Sequence, residues 1–159
     1  MRKYIAIFIS MLLLFSQATM IFADDNMENE SYEMVEISDV EMPSGIGISG
    51  ISPCTLYLAD VITSIVKVSS SQVSIRAQAI CSEKVQSITV IYTLQKWNGS
   101  KWADVASRTA TAYDAYSAHK TYSITGLGSG SYRCKASAKA TGYNGYSETL
   151  TGYSASITL

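Results

Sequence analysis

Beyond Pro53 the chain has no proline, no phenylalanine and no methionine; both Pro, all three Phe and all six Met lie at or before that position. The following 106 residues must therefore fill any core with aliphatics, Tyr and Trp. Ser and Thr supply 29 of those residues, a composition suited to strands whose outer faces are wet, with Tyr adding buried area and a hydroxyl that can reach solvent or backbone. Histidine is nearly missing too. His119 is the only one, placed between Ala118 and Lys120 in a polar stretch, so Ser-His-Asp or Cys-His catalysis would rest on a residue that reads as an exposed loop or strand edge. The three cysteines, Cys54, Cys81 and Cys134, show no C-x-x-C spacing, and no structural zinc or other cofactor is expected. No glycine-rich loop opens a helix, because the run from Gly126 to Gly130 joins two strands, and nucleotide binding is not expected. Paired-carboxylate hydrolysis needs two acids across a cleft, yet the body offers only Asp60, Glu83, Asp104, Asp114 and Glu148. These shortages together predict a protein that is not an enzyme.

What the chain does have is alternation. Between Ser131 and Ala140, the residues Tyr132, Cys134, Ala136, Ala138 and Ala140 share one parity, and Arg133, Lys135, Ser137 and Lys139 the other. Successive strand side chains point to opposite faces, so this is a half-buried strand. The same reading gives seven strands: 55–68 with a bulge near Ala59-Asp60; 72–81 with Val73, Ile75, Ala77, Ala79 and Cys81 on one face; 87–97 with Ile88, Val90, Tyr92 and Leu94 inward; 102–111; 120–125; 131–140; and 147–159. Asn98-Gly99 between apolar runs signals a hairpin, and a four-residue loop there would set Trp97 opposite Trp102. Seven short strands with turns about a dozen residues apart predict an all-β, antiparallel, two-sheet sandwich.

The N-terminus reads as an export signal. Arg2 and Lys3 precede an apolar run from Tyr4 to Phe15, short for a membrane span, and the small residue Ala23 stands before Asp24-Asp25. Cleavage is expected after Ala23, with Ala18 as second choice, and an uncleaved anchor is the alternative. Residues 24–52 then form an acidic leader with eight carboxylates and no base, whereas 53–159 carry ten bases against five acids. A charged leader with few large apolar residues does not bury enough surface to offset its ordering entropy and is expected to be disordered. The domain plan is thus 1–23 signal peptide, 24–52 leader and 53–159 sandwich. Localisation follows as secreted, with the membrane met only transiently through the signal peptide and nucleic acid not expected as a partner.

The stretch from Leu127 to Ala136 resembles the approach to the sixth strand of fibronectin type III and immunoglobulin-like sandwiches, where a Tyr closes the corner and hydrogen-bonds to the preceding loop; Tyr132 takes that place. A wider likeness runs through Pro53-Cys54-Thr55-Leu56, Ala79-Ile80-Cys81, Leu94-Gln95-Lys96 with Gly99, Trp102-Ala103-Asp104-Val105 and Tyr132-Arg133. Together these resemble an uncharacterised family of small secreted proteins of Gram-positive bacteria. The resemblance implies a fold and export, and brings no activity and no catalytic residues.

In an exported chain three cysteines suggest one disulfide and a spare thiol. The immunoglobulin analogy would join Cys81 to Cys134. Strand geometry favours Cys54–Cys81, because Cys81 ends its strand near the start of the strand that Cys54 opens, whereas Cys134 follows a turn at the far end; Cys81–Cys134 and no bond at all are the alternatives. For binding, Trp97 and Trp102 are candidates either as a cross-strand pair that holds the hairpin or as an aromatic platform for sugar rings, with Tyr113, Tyr116, Tyr143 and Tyr146 available on loops. Arg133, Lys135 and Lys139, with Arg76 on another strand, either keep a sheet soluble or attract anionic cell-wall polymers. The expected function is an extracellular or cell-wall-associated binding or structural module, its partner a cell-wall polymer, polysaccharide or surface protein. A carbohydrate-binding module using exposed Trp and Tyr is the alternative.

Overall fold

The computed structural model describes residues 32–38 and 56–159. They are antiparallel β-structure throughout: β1 Glu33–Ile37, β2 Leu58–Ser69, β3 Gln72–Trp97, β4 Trp102–Thr125, β5 Ser131–Thr141, β6 Ser147–Tyr153 and β7 Ile157–Thr158. The strand count matches the expectation, but the strands are partitioned differently. Residues 72–81 and 87–97 belong to one strand, β3, and 102–111 and 120–125 to another, β4. The expected last strand is split into β6 and β7.

The fusion has a physical cause. Between the pairs Ile80↔Ser117 and Val85↔Ala115, β3 advances five residues while β4 advances two. The surplus is taken up by Ser82, Glu83 and Lys84, all exposed; just beyond it on β4, Asp114 has a φ of 52°, in the left-handed region. Extra residues on one strand of an antiparallel pair bend it and increase its twist. Each long strand therefore serves two sets of neighbours: β1, residues 117–124, residues 72–80 and β2 on one side of the bend; residues 102–115, residues 85–97, β5 and β6 on the other. All seven strands are hydrogen-bonded into one open sheet and not into the expected two; although β2 pairs only with β3, it packs against β5, β6 and β7, so the bent sheet folds over into a sandwich-like body.

The core lies between these layers and follows the predicted parities. Val73, Ile75, Ala77 and Ala79 are fully buried, as are Ile88, Val90, Tyr92 and Leu94 and the whole row of Tyr132, Cys134, Ala136, Ala138 and Ala140. Three alanines on β5 let β2 approach with its larger Leu58, Val61 and Ile65, since interiors pack to near-crystal density only where large side chains meet small ones. Tyr92 meets Tyr122 edge to face at 5.0 Å and joins the two arms of the bend. The predicted bulge is present in β2, where Ala59 is skipped between Leu58↔Cys81 and Asp60↔Ile80.

One expectation fails within the leader. Residues 33–37, read as disordered, form β1 and pair in register with Thr121–Thr125, burying Met34. Averaged composition had argued against order because the segment carries little apolar surface, yet a strand added to an existing edge needs only backbone partners and one anchoring side chain. The rest of the leader, the signal peptide and the start of the 53–159 domain at Pro53 and Cys54 lie outside the described residues.

Candidate functional site

The residues singled out for binding fall at two ends of the same arm. Thr141, at the end of β5, pairs with Ser87, and Lys96, beside Trp97, pairs with Tyr132 at its beginning. The ten residues of β3 between Ser87 and Trp97 separate the Tyr143–Tyr146 loop from the Trp hairpin by roughly 33 Å. The two groups do not form one surface.

At the hairpin end, the loop has four residues and Trp97 is paired with Trp102. Asn98 shapes the turn by accepting from the backbone N–H of Ser100 at 3.0 Å and Lys101 at 2.9 Å, and Gly99 supplies a φ of 99°. The ring centroids are 5.5 Å apart, but the planes are inclined at 60°, so one sugar face does not lie flat on both rings. Arg133 occupies the remaining space: its guanidinium lies 4.4 Å from the Trp102 ring centre and 4.5 Å from that of Tyr153. Its Nε donates to Gln95 Oε1 at 2.8 Å, and Gln95 Nε2 donates to Asp104 Oδ1 at 2.6 Å. This row runs across four strands and is fastened by cation–π and hydrogen-bond contacts at once. Arg133 is thus a member of the stack, while Lys135 and Lys139 continue along the outer face of β5 and Arg76 belongs to the other arm. Sequence reading placed the Trp pair correctly, but did not find Tyr153 and Gln95 as the partners of Arg133 beside it.

The opposite end is built on the bend. Lys84 Nζ, from the surplus of β3, is 2.7 Å from Asp114 Oδ2, and the Tyr143 hydroxyl donates to the other carboxylate oxygen. The hydrogen bonds from Lys84 and then Tyr143 hold the Asp114 carboxyl below the ordinary carboxylate range; the same contact raises the Tyr143 hydroxyl and the Lys84 ammonium. Tyr116 and Tyr143 face this pair, while Tyr113 adjoins it on β4 and Tyr146 lies on the β5–β6 loop; all four are 56 to 76% exposed. Beside them Tyr57, Glu83, Lys84, Gly142, Tyr143 and Asn144 line a groove of about 260 Å³. Tyr57 donates to Asn144 Oδ1 at 2.9 Å and lies 6.2 Å from the Tyr146 ring, and Gly142 leaves room for its ring where any Cβ would collide with it.

Behind the groove stands a residue the sequence did not reveal. Glu148 accepts from the backbone N–H groups of Leu56 at 2.8 Å, Tyr57 at 2.6 Å and Leu58, gathering three successive donors at the start of β2. Its partners lie about ninety residues away, so no local pattern marks it. The carboxylate also faces Cys81, whose thiol is pushed up to about 11 by burial and then by that charge. Burial alone pushes Cys134 up to about 12. Cys81 and Cys134 are both free thiols, which leaves the immunoglobulin-type bond between them unformed. The Cys54–Cys81 pairing falls on a residue outside the described range. Tyr132 Oη does donate to Gly128 O at 2.7 Å, the corner contact expected of it.

Three of the other four body carboxylates are likewise engaged: Asp60 with the Val61 N–H at 2.7 Å, Asp104 with Gln95, Asp114 with Lys84 and Tyr143. His119 lies exposed on β4, paired in register with Gln78. Among the described residues no three His, Cys, Asp or Glu side chains are grouped as metal ligands. Compared with protein-family models, with curated proteins and with solved structures, the chain matches none.

Proposed function

We propose that this chain is an exported, non-catalytic β-sandwich module of the immunoglobulin and fibronectin type III kind, which binds an extracellular or cell-wall partner through its tyrosine-rich end. The observation that carries this is the cluster of Tyr113, Tyr116, Tyr143 and Tyr146, four large side chains left in solvent around one bend. Tyr143 and Tyr146 are on a loop, whereas Tyr113 and Tyr116, expected on loops, lie on β4. Exposed aromatics at one end of a rigid scaffold are a usual composition of a recognition surface, because Tyr offers wide contact area at low entropy cost. The two-arm topology, the Tyr132 corner and the signal-like N-terminus support the class and the compartment. Resemblance to secreted proteins of Gram-positive bacteria makes the cell wall the first place to look.

A polysaccharide is the second reading, favoured by the groove beside Tyr57 and Tyr143, which combines aromatic walls with the amide of Asn144 and the charges of Glu83 and Lys84. The test is cosedimentation of residues 24–159 with cell walls and with insoluble polysaccharides. Tyr143→Ala/Tyr146→Ala is expected to abolish retention, and Trp97→Ala/Trp102→Ala to leave it intact. Loss only in the Trp variant would move the site to the hairpin end, and salt-sensitive retention unaffected by either would assign it to Lys135 and Lys139. Retention on pure polysaccharide selects the second reading.

A further inference from the structure

Among the described residues β1 touches no strand except β4. Its anchorage is modest: the buried side chain of Met34, Tyr32 just before it half-buried against the core, the backbone ladder to Thr121–Thr125, an ion pair between Glu36 and Lys120, and a hydrogen bond from Arg108 to Met34 O at 3.4 Å. One acidic residue of the strand, Glu36, thus meets a basic one on its host, Lys120. Glu33 and Glu36 also discourage a further strand from adding to the outer edge of β1, as edge charges do elsewhere.

The tether is longer than the closed arrangement needs. Ile37 is in register with Thr121 and, through it, with Arg76 on β3 and Ser64 on β2, whereas β2 begins opposite Cys81. Three strand spacings across and five residues along amount to roughly 22 Å. The sequence places 20 residues, 38–57, between the two strands, enough to span roughly 66 Å when extended. A strand with one fully buried side chain, one host and about three times the required reach can seat on the same edge of a neighbouring copy and make every contact it makes at home.

We propose that residues Glu33–Ile37 are an exchangeable donor strand and that the β4 edge at Thr121–Thr125 is its acceptor on a second copy, so that the chain links to itself by β-augmentation when crowded. Because the contacts are identical in both arrangements, the balance is set by chain concentration against the effective concentration of the tethered strand, on the order of 1 mM for short linkers. Dilute protein is closed and monomeric; chains packed on a surface exchange.

The register gives a direct test. Val35 lies opposite Ser123, and opposed residues in an antiparallel ladder have Cα atoms close enough for a disulfide. In a Cys54→Ser background, one chain carries Val35→Cys and another Ser123→Cys; the two are mixed, warmed, cooled and oxidised at about 10 μM and about 1 mM. The double variant Val35→Cys/Ser123→Cys at 10 μM reports the closed form. The expected result is a covalent heterodimer forming a large share of the mixture at 1 mM and under a tenth of it at 10 μM, with the double variant closing internally. Only monomers in the 1 mM mixture, with the double variant closed, would overturn exchange. A double variant that does not close would overturn the acceptor edge itself.

Discussion

Glu148 on β6 accepts a hydrogen bond of 2.6 Å from the backbone N–H of Tyr57, 91 residues earlier in the chain. With Leu56 and Leu58 donating to the same carboxylate, the contact fixes where β2 enters the body. Glu148→Ala strands these donors, and bonds to a charged acceptor are each worth about 1.5–3 kcal/mol. An overall loss of about 2–3 kcal/mol in urea unfolding is expected, with Glu148→Gln losing about half as much. Unchanged stability in Glu148→Ala would show that solvent replaces the carboxylate.

Gly142 is required by Tyr57 and not by its own backbone. A Cβ at this position meets the Tyr57 ring and hydroxyl, so Gly142→Ala forces the ring out at a cost of about 1–3 kcal/mol. In a Tyr57→Ala background the obstacle is gone, and the same substitution should cost under about 0.5 kcal/mol. The double-mutant cycle reads this coupling directly.

Arg133 between Trp102 and Tyr153 should be the most sensitive position at the hairpin end. Arg133→Ala is expected to lose about 1–2 kcal/mol and to shift Trp102 emission to the red, measured in a Trp97→Phe background. Arg133→Lys should recover little, because an ammonium does not replace a planar guanidinium held between two rings.

The thiol of Cys134 predicts an alkaline limit. It loses its proton near 9.0 in the unfolded chain and near about 12 in the folded one, because burial disfavours the thiolate. Its contribution is therefore fully present below pH 9 and declines as pH rises from there toward 12, where the unfolded state binds fewer protons, by at most about 1.4 kcal/mol per pH unit. Cys134→Ala should flatten that part of the stability profile. In the native protein at pH 8 neither Cys134 nor Cys81, itself held up to about 11, should react appreciably with iodoacetamide.

Face assignments were legible because they depend on the period of two along a strand, which is written in consecutive residues: each of the five predicted inward positions on β5 is buried. The Asn98-Gly99 turn and the Ala59 bulge were legible for the same reason. Strand ends were not. Ser82, Glu83 and Lys84 look like a turn, since three polar residues in a row break alternation, and only the pairing with β4 shows that the backbone stays extended through them.

The sequence by itself determined an all-β, antiparallel body, the residues that face its core, and the pairing of Trp97 with Trp102. Tertiary structure alone decided that the arms share two bent strands, that Arg133 sits between Trp102 and Tyr153, that Glu148 holds the start of β2, and that an acidic segment adds a strand to β4. The first set follows from local periodicity and turn chemistry. The second follows from contacts between residues far apart in the chain, where an edge, a groove or a ring supplied by one segment changes what another can do.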